Sequence, residues 1–137
     1  MIAFEIPGVP VAKGRPKFAR RGNFVRAYTP DKTAAAEQTL AARALPFRPK
    51  TPITEAICLE AEFVMPIPKG KSQKWRNGAA ANAIPHVSRP DLDNLIKLLK
   101  DSLNGIFWLD DSQIYSVQAT KVYGEFPRTI VRVTEKP

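Results

Sequence analysis

The chain contains 137 residues, of which 44% are hydrophobic and 25% are charged, and its formal net charge at pH 7 is +8. This length and composition predict one globular domain, residues 1–137, with a single hydrophobic core. One cysteine and one histidine exclude an internal disulfide and the usual structural zinc sites. Because no apolar run reaches the roughly 18 residues of a membrane span, no membrane contact is expected and the cytoplasm is the expected location.

The N-terminal part of the chain predicts a strand, a basic loop, a hairpin and a helix. Met1–Ile6 alternates as a short strand does, and the prolines that follow make Gly8–Arg21 an expected basic loop. Lys17–Arg20 and Asn23–Tyr28 are candidates for the two strands of a hairpin. A helix is predicted over Thr29–Ala44, because a threonine cap precedes a proline at the first helical position.

The remainder predicts three strands and a second long helix. Alternating apolar residues indicate a half-buried strand over Glu55–Met65, and a long connection, Pro66–Arg89, follows it with a short helix near Ser72–Ala81. The elements after the connection are a helix over Leu92–Asn104 and strands over Ser112–Tyr123 and Thr129–Thr134. The order β-α-β-α-β-β predicts an α+β fold with two layers, a mixed β-sheet packed against helices.

The excess positive charge lies in two segments that contain no acidic residue. Six basic residues lie between Lys13 and Arg26, and five more lie between Lys69 and Arg89. Basic surface of this density indicates a polyanionic partner, and the phosphate backbone of nucleic acid is the commonest one. The alternative is a pair of solvated loops that only keep the protein soluble.

Five of the six aspartates lie between Pro90 and Ile114, around the second long helix. The apolar stripe of this helix consists of Leu92, Leu95, Ile96, Leu99 and Leu103. The helix would be about 20 Å long, and the segment after it could span a similar distance if extended. The chain can therefore return along the helix and bring Asp110 or Asp111 to Asp91 and Asp93, whereas Asp101 lies too far along the axis.

Converging carboxylates repel one another unless a cation neutralises them. Carboxylate oxygens suit Mg²⁺, with Mn²⁺ as a possible substitute, and the shortage of His and Cys argues against softer metals. A carboxylate-held metal ion beside basic loops is suited to phosphodiester hydrolysis. Lys97, one turn after Asp93, would then position water or stabilise the transition-state oxyanion.

The same aspartates also have a purely structural interpretation. An aspartate at a helix start is favoured by capping and by the helix dipole, with no metal involved. Asp93 and Lys97 have the spacing of an ordinary helical ion pair. From spacing alone, the metal site and the structural interpretation are about equally favoured.

At these residues the sequence resembles the RusA family of Holliday-junction resolvases. The family motif stands here as "RPDLDNLIK" followed by "WLDDSQI". The resemblance covers nearly the whole chain, and its phage and prophage branch is matched by "PVAKGRPKF", "AYTPDKT", "MPIPKGKS" and "KVYGEFPRTIVRV".

The resemblance implies a Mg²⁺-dependent homodimeric endonuclease that cuts four-way DNA junctions in recombination and repair. Asp91, Asp93 and Asp111 would be the catalytic, metal-binding carboxylates, and Lys97 would be the catalytic lysine. Basic residues of the N-terminal segment and of the connection would contact junction phosphates; they are Lys13, Arg15, Lys17, Arg20, Arg21, Lys69, Lys71, Lys74, Arg76 and Arg89.

Two other functions remain open from the sequence. One is a metal-dependent nuclease that acts on other branched DNA, such as forks or flaps. The other is a DNA-binding protein whose aspartates are only caps and ion pairs. Among the aromatic residues, Phe107 and Trp108 are expected in the core, whereas Trp75 either stacks on unpaired bases or fastens the connection to the body of the protein.

Overall fold

The computed structural model of the protein describes residues 1–14, 17–22, 24–28 and 31–136, with the backbone alone for 17–21, 24–28 and 31. The expected helix start at Thr29 and Pro30 and the basic residue Arg15 lie outside these ranges. Within them, no helix has the length and apolar character that crossing a bilayer requires.

The described strands form a four-stranded mixed sheet and a separate hairpin. The strands are β1 (Ile2–Pro7), β2 (Lys17–Arg21), β3 (Phe24–Tyr28), β4 (Ala56–Pro66), β5 (Ile114–Gly124) and β6 (Arg128–Lys136). In the sheet the order is β1-β6-β4-β5, where β4 and β5 are parallel and the other neighbours are antiparallel. Strands β2 and β3 pair with each other, which confirms the predicted hairpin.

Three α-helices are described: α1 (Asp31–Ala44), α2 (Gln73–Ala80) and α3 (Leu92–Leu103). Pro46 follows the end of α1 within a short 3₁₀ turn, and Ser72 caps α2 by accepting a hydrogen bond from the Trp75 N–H. Gly105, at φ +80°, follows α3 in the left-handed conformation that its sequence predicts.

The core lies between one face of the sheet and the helices. Alternate residues of β4, from Ile57 to Met65, are buried there with Leu95 and Leu99 of α3. Glu60 and Glu62 point to the opposite, more open face. This arrangement confirms the predicted α+β fold with a mixed sheet against helices, and Phe107 and Trp108 are both fully buried, as expected.

The buried stripe of α3 is wider than the sequence predicts. Leu98 is almost completely buried, although the predicted stripe omits it, and it lies in a groove beside Leu40 of α1. Ile96, which the stripe includes, is only partly buried. Helix α3 is therefore covered by α1 as well as by the sheet. The 3.6-residue period of apolar residues predicts one buried stripe, so it does not identify the residues of a second packing surface.

Two leucine-to-alanine changes test this core. Leu99 is fully buried, whereas Leu109 is 59% exposed. We expect Leu99→Ala to lower the free energy of unfolding by about 2–5 kcal/mol, because it leaves a cavity. Leu109→Ala should change it by about 0.5 kcal/mol or less. Urea denaturation of both variants measures the difference, and equal losses would contradict the packing described.

Candidate active site

The N-terminus of α3 carries an aspartate whose side chain is not used for capping. Asp91 is the N-cap residue of α3, but its carboxylate accepts no hydrogen bond from the first turn. A structural cap would accept one from the second or third helical N–H. The Asp91 side chain is exposed and therefore remains available to a ligand. It lies at the helix N-terminus, where the helix dipole favours a negative charge, and a cation bound there would need such a carboxylate.

Asp93 lies in the same first turn and is also exposed. One of its oxygens accepts a hydrogen bond from the adjacent Asn94 N–H at 3.0 Å. Among the described residues it forms no ion pair with Lys97, because Lys97 Nζ lies 2.9 Å from Asp101 instead. The simple ion-pair interpretation of Asp93 and Lys97 is therefore wrong for this structure.

An open cleft of about 660 Å³ adjoins the N-terminus of α3. Its lining residues are Ala12, Arg89, Pro90, Asp91 and Asn94. The Lys13 N–H donates to the Asn94 carbonyl at 2.9 Å, which fixes the N-terminal segment as one wall of the cleft. The cleft therefore places the exposed Arg89 beside the Asp91 carboxylate, which makes no capping hydrogen bond. An arginine can bind a phosphate and a carboxylate can bind its metal ion.

A network of charges joins α1, α3 and the N-terminal segment. Lys13 Nζ contacts Glu37 of α1 and lies 3.1 Å from Asp101, which also pairs with Lys97. Burial acts to raise the pKa of Asp101, but hydrogen bonds from Lys97 and Lys13 outweigh it and hold the pKa below its usual range. Burial likewise acts to lower the pKa of Lys13, and its two carboxylate partners outweigh that effect and raise the pKa.

The network changes the expected role of Lys13. Sequence predicts a DNA contact, but the Lys13 side chain is only 20% exposed and faces two protein carboxylates. The neighbouring Gly14 N–H also donates to the Thr33 hydroxyl at 3.0 Å. In this structure, Lys13 therefore fastens the basic segment to α1 and α3.

The two aspartates of the second motif have different surroundings. Asp110 caps the 3₁₀ turn Asp111–Gln113 with a reciprocal capping box, and hydrogen bonds from Ser112 lower its pKa. Asp111 Oδ1 accepts a hydrogen bond from the Trp108 indole N–H at 2.8 Å. Asp110 is therefore a cap, while Asp111 is tied to a core tryptophan.

The segment between α3 and the second motif does not return along the helix. The Gly105 N–H donates to the Trp108 carbonyl at 2.8 Å, and Asn104 forms a bridge with Trp108, so the chain turns compactly at the end of α3. Asp111 therefore stays with Trp108, whereas Asp91 lies at the opposite helix end, about 18 Å from Leu103 along the axis. Within the described residues, no three His, Cys, Asp or Glu side chains are grouped to share a metal ion.

The basic residues of the connection around α2 are largely exposed. Lys69, Lys71 and Lys74 are exposed, and Arg76 is half-buried with its Nε lacking a partner among the described residues. The Trp75 ring packs edge-on against Tyr123 of β5, with a centroid separation of 5.3 Å. Trp75 therefore fastens the connection to the sheet, as one of the two sequence interpretations held. For Lys17, Arg20 and Arg21 the structure describes the backbone of the hairpin.

Lys121 is a functional candidate that the sequence interpretation missed. Its Nζ donates to the carbonyl oxygens of Ser88 and Pro90, each at 2.8 Å. In the parallel pairing, Lys121 lies opposite Phe63, on the face of the sheet that α3 covers. A lysine at an inward position of a strand is unusual. This position in the alternation of β5 is the sequence feature that could have identified Lys121 as a functional candidate.

One family model and two known proteins are similar to this chain. The family model for endodeoxyribonuclease RusA matches residues 7–134. The chain is 35% identical over 136 residues to the uncharacterized protein YqaN of Bacillus subtilis strain 168, covering 98% of this chain and 96% of that protein. It is 47% identical over 49 residues to the crossover junction endodeoxyribonuclease rusA of Lactococcus phage r1t, covering 35% of this chain and 37% of the phage protein.

The segment matched by the family model includes both aspartate motifs, the α3 helix between them and the strands on either side. This extent, and the full-length similarity to YqaN, go well beyond a shared short motif. The chain belongs to the RusA endodeoxyribonuclease family.

Proposed function

We propose that this protein is a Mg²⁺-dependent endonuclease that resolves Holliday junctions by paired phosphodiester cuts. The observation that carries the proposal is the Asp91 carboxylate, which makes no capping hydrogen bond and lines a cleft together with Arg89 at the start of α3. Family membership supports DNA cleavage as the chemistry. The phage relative named as a crossover junction enzyme supports a four-way junction as the substrate. DNA as substrate fits the expected cytoplasmic location.

The residues present fit a hard divalent cation. Asp91 and Asp93 are two exposed carboxylates on one helical turn, and neither is neutralised by a cation within the described part of the chain. Mg²⁺ commonly binds through one or two carboxylates and completes its shell with water and substrate phosphate oxygens. When bound, the ion would activate water and neutralise charge on the phosphate, and Mn²⁺ would serve as a substitute. Asp111 lies at the other end of α3, beside Trp108, and does not share this ion within one chain, so its proposed catalytic role rests on the motif alone.

The surrounding cations fit a polyanionic substrate. Arg89 lies on the cleft itself, and Lys69, Lys71 and Lys74 are exposed on the connection that leads to it. These side chains would bind phosphates on both sides of the cut and make binding sensitive to salt. Lys97, 55% exposed and paired with Asp101, is proposed to stabilise charge in the transition state.

A symmetric dimer fits the reaction. A four-way junction has approximate two-fold symmetry, and resolution requires one cut in each of two opposing strands. A homodimer would hold two sites at a fixed separation on one junction, and two-fold symmetry is the commonest symmetry among oligomers. It would also double the basic surface presented to the DNA.

Cleavage of a synthetic four-way junction tests the proposed activity. We expect cuts with Mg²⁺ and none with EDTA, and slower cutting of linear duplex and flap substrates. Loss of a group that only orients a metal ligand costs up to about 100-fold in activity, so Asp91→Asn and Asp93→Asn, which change proposed ligands, should each lower the rate by at least that factor. Junction binding should be unchanged or tighter, because a negative charge is removed near the phosphate.

Asp110→Asn is the matched control for these two variants. Asparagine caps a helix as well as aspartate does, so this variant should retain both the turn and the activity. Preferential cutting of flaps would favour a nuclease for other branched DNA. Binding without cleavage under any divalent metal would favour a non-catalytic DNA-binding protein.

Two changes at Asp111 separate a metal ligand from a structural contact. Asp111→Asn keeps an oxygen for the Trp108 N–H but removes the charge, so cleavage should be lost while thermal stability is retained. Asp111→Leu also removes the acceptor, which should lower the free energy of unfolding by about 1–3 kcal/mol. Cleavage assays and urea denaturation measure the two effects. If Asp111→Asn cuts junctions at the wild-type rate, the role of Asp111 is structural and not catalytic.

Light scattering tests the dimer. We expect a mass of about 30 kDa at micromolar concentration, twice the 15.2 kDa of one chain, with and without junction DNA. The two cuts should then occur within one binding event. A monomer under both conditions, with nicks at independent times, would contradict paired resolution and favour a general nuclease.

A further inference from the structure

Lys121 connects the sheet to the segment that presents the candidate metal ligand. It lies near the end of β5, and its ammonium donates to the carbonyls of Ser88 and Pro90 at 2.8 Å each. Its side chain forms no ion pair with a carboxylate among the described residues. A partly buried ammonium whose partners are two backbone carbonyls is positioned to hold a backbone in place, because its charge strengthens both bonds.

The two carbonyls bracket Arg89 and immediately precede Asp91. Ser88 and Pro90 lie on either side of Arg89, and Pro90 is the last residue before the N-cap of α3. Anchoring both carbonyls fixes the direction in which the Arg89 and Asp91 side chains leave the backbone. Arg89, Pro90 and Asp91 are also three of the residues that line the cleft.

The backbone of the anchored segment has little other support. Residues 84–90 contain no helix or strand, and Val87 is 87% exposed. In the described part of the chain, no backbone–backbone hydrogen bond ties these residues to the sheet. The two hydrogen bonds from Lys121 are therefore the described hydrogen bonds that tie the backbone of this segment to the sheet.

A neighbouring residue on the same strand completes the contact surface for the connection. Tyr123, two residues after Lys121 and therefore on the same face of β5, packs against His86 with ring centroids 4.7 Å apart. It also packs against Trp75. Tyr123 thus holds the connection through apolar contact, whereas Lys121 supplies directional hydrogen bonds nearer the cleft.

We propose that Lys121 is a positioning residue that orders the Ser88–Pro90 backbone and thereby preorganises Asp91 for the metal ion. The inference rests on the proposed function, because it assigns Asp91 a metal. It differs from a DNA contact, since the Lys121 ammonium is engaged with protein carbonyls rather than directed to solvent. Groups that orient metal ligands typically change metal affinity or activity by about 10–100-fold when they are removed.

Three variants test the proposal. Lys121→Met removes both hydrogen bonds and keeps most of the side-chain volume. Lys121→Arg retains a cation with several donors and should restore most of the function. Lys50→Met is the matched control, because Lys50 is an exposed lysine before the start of β4, at the other end of the sheet.

The first measurement uses DNA-free protein. Mn²⁺ binding, followed by electron paramagnetic resonance of the free ion, should weaken about tenfold or more in Lys121→Met and stay near wild type in Lys121→Arg and Lys50→Met. The Mg²⁺ concentration for half-maximal junction cleavage should rise in parallel. Junction affinity in EDTA should match that of Lys50→Met, since both variants lose one positive charge.

Other results would overturn the inference. Equal Mn²⁺ affinity in Lys121→Met and wild type would do so, as would weakened junction binding in EDTA with unchanged metal affinity, which would indicate a direct DNA contact. If Lys121→Met does not fold, Lys121→Gln, which keeps one donor group, is measured in the same way. Failure of wild-type protein to cut junctions with Mg²⁺ would instead contradict the proposed function, and the Mn²⁺ measurement distinguishes the two failures.

Discussion

The parallel pairing of β4 with β5 is the constraint on which the candidate site depends. Two parallel neighbours cannot be joined by a tight turn, so the chain must cross from the end of β4 back to the start of β5. The crossing contains α2 and α3, and α3 must run opposite to the two strands to complete it. Its N-terminus therefore lies at the carboxyl ends of β4 and β5, the usual position of ligand sites in sheets with such crossings.

The helix direction explains why a basic protein places acidic residues here. A helix N-terminus carries partial positive charge, so it tolerates Asp91 and Asp93 in adjacent positions better than other surfaces would. Basic residues flank these carboxylates in sequence and in space, with Arg89 on the cleft. The result is a small acidic region within a positive surface, which is the distribution needed to hold a cation against a phosphate backbone.

The charges of the described residues fall into two groups with different uses. Lys13 and Lys97 are paired with carboxylates of α1 and α3, so they contribute to tertiary structure even where they also act in function. Lys69, Lys71 and Lys74 are exposed on the connection. The net charge of the chain is thus a poor guide to how much of its basic surface is free for DNA, since pairing removes part of it.

The sequence by itself determined the elements whose cause is local. Alternation predicts β4 and a 3.6-residue period predicts α3, because each depends on residues a few positions apart. The motif around Asp91 identifies the family for the same reason. Neither these elements nor the family required knowledge of which strand lies beside which.

Only the tertiary structure decided the contacts between distant parts of the chain. Lys13 faces Asp101 because the N-terminal segment crosses α3, and Lys121 reaches Pro90 because β5 lies beneath the start of that helix. Asp111 stays with Trp108 because the turn after α3 is compact rather than extended. These contacts join residues whose proximity comes from packing of the sheet and helices, and a linear pattern of residue types contains no record of that packing.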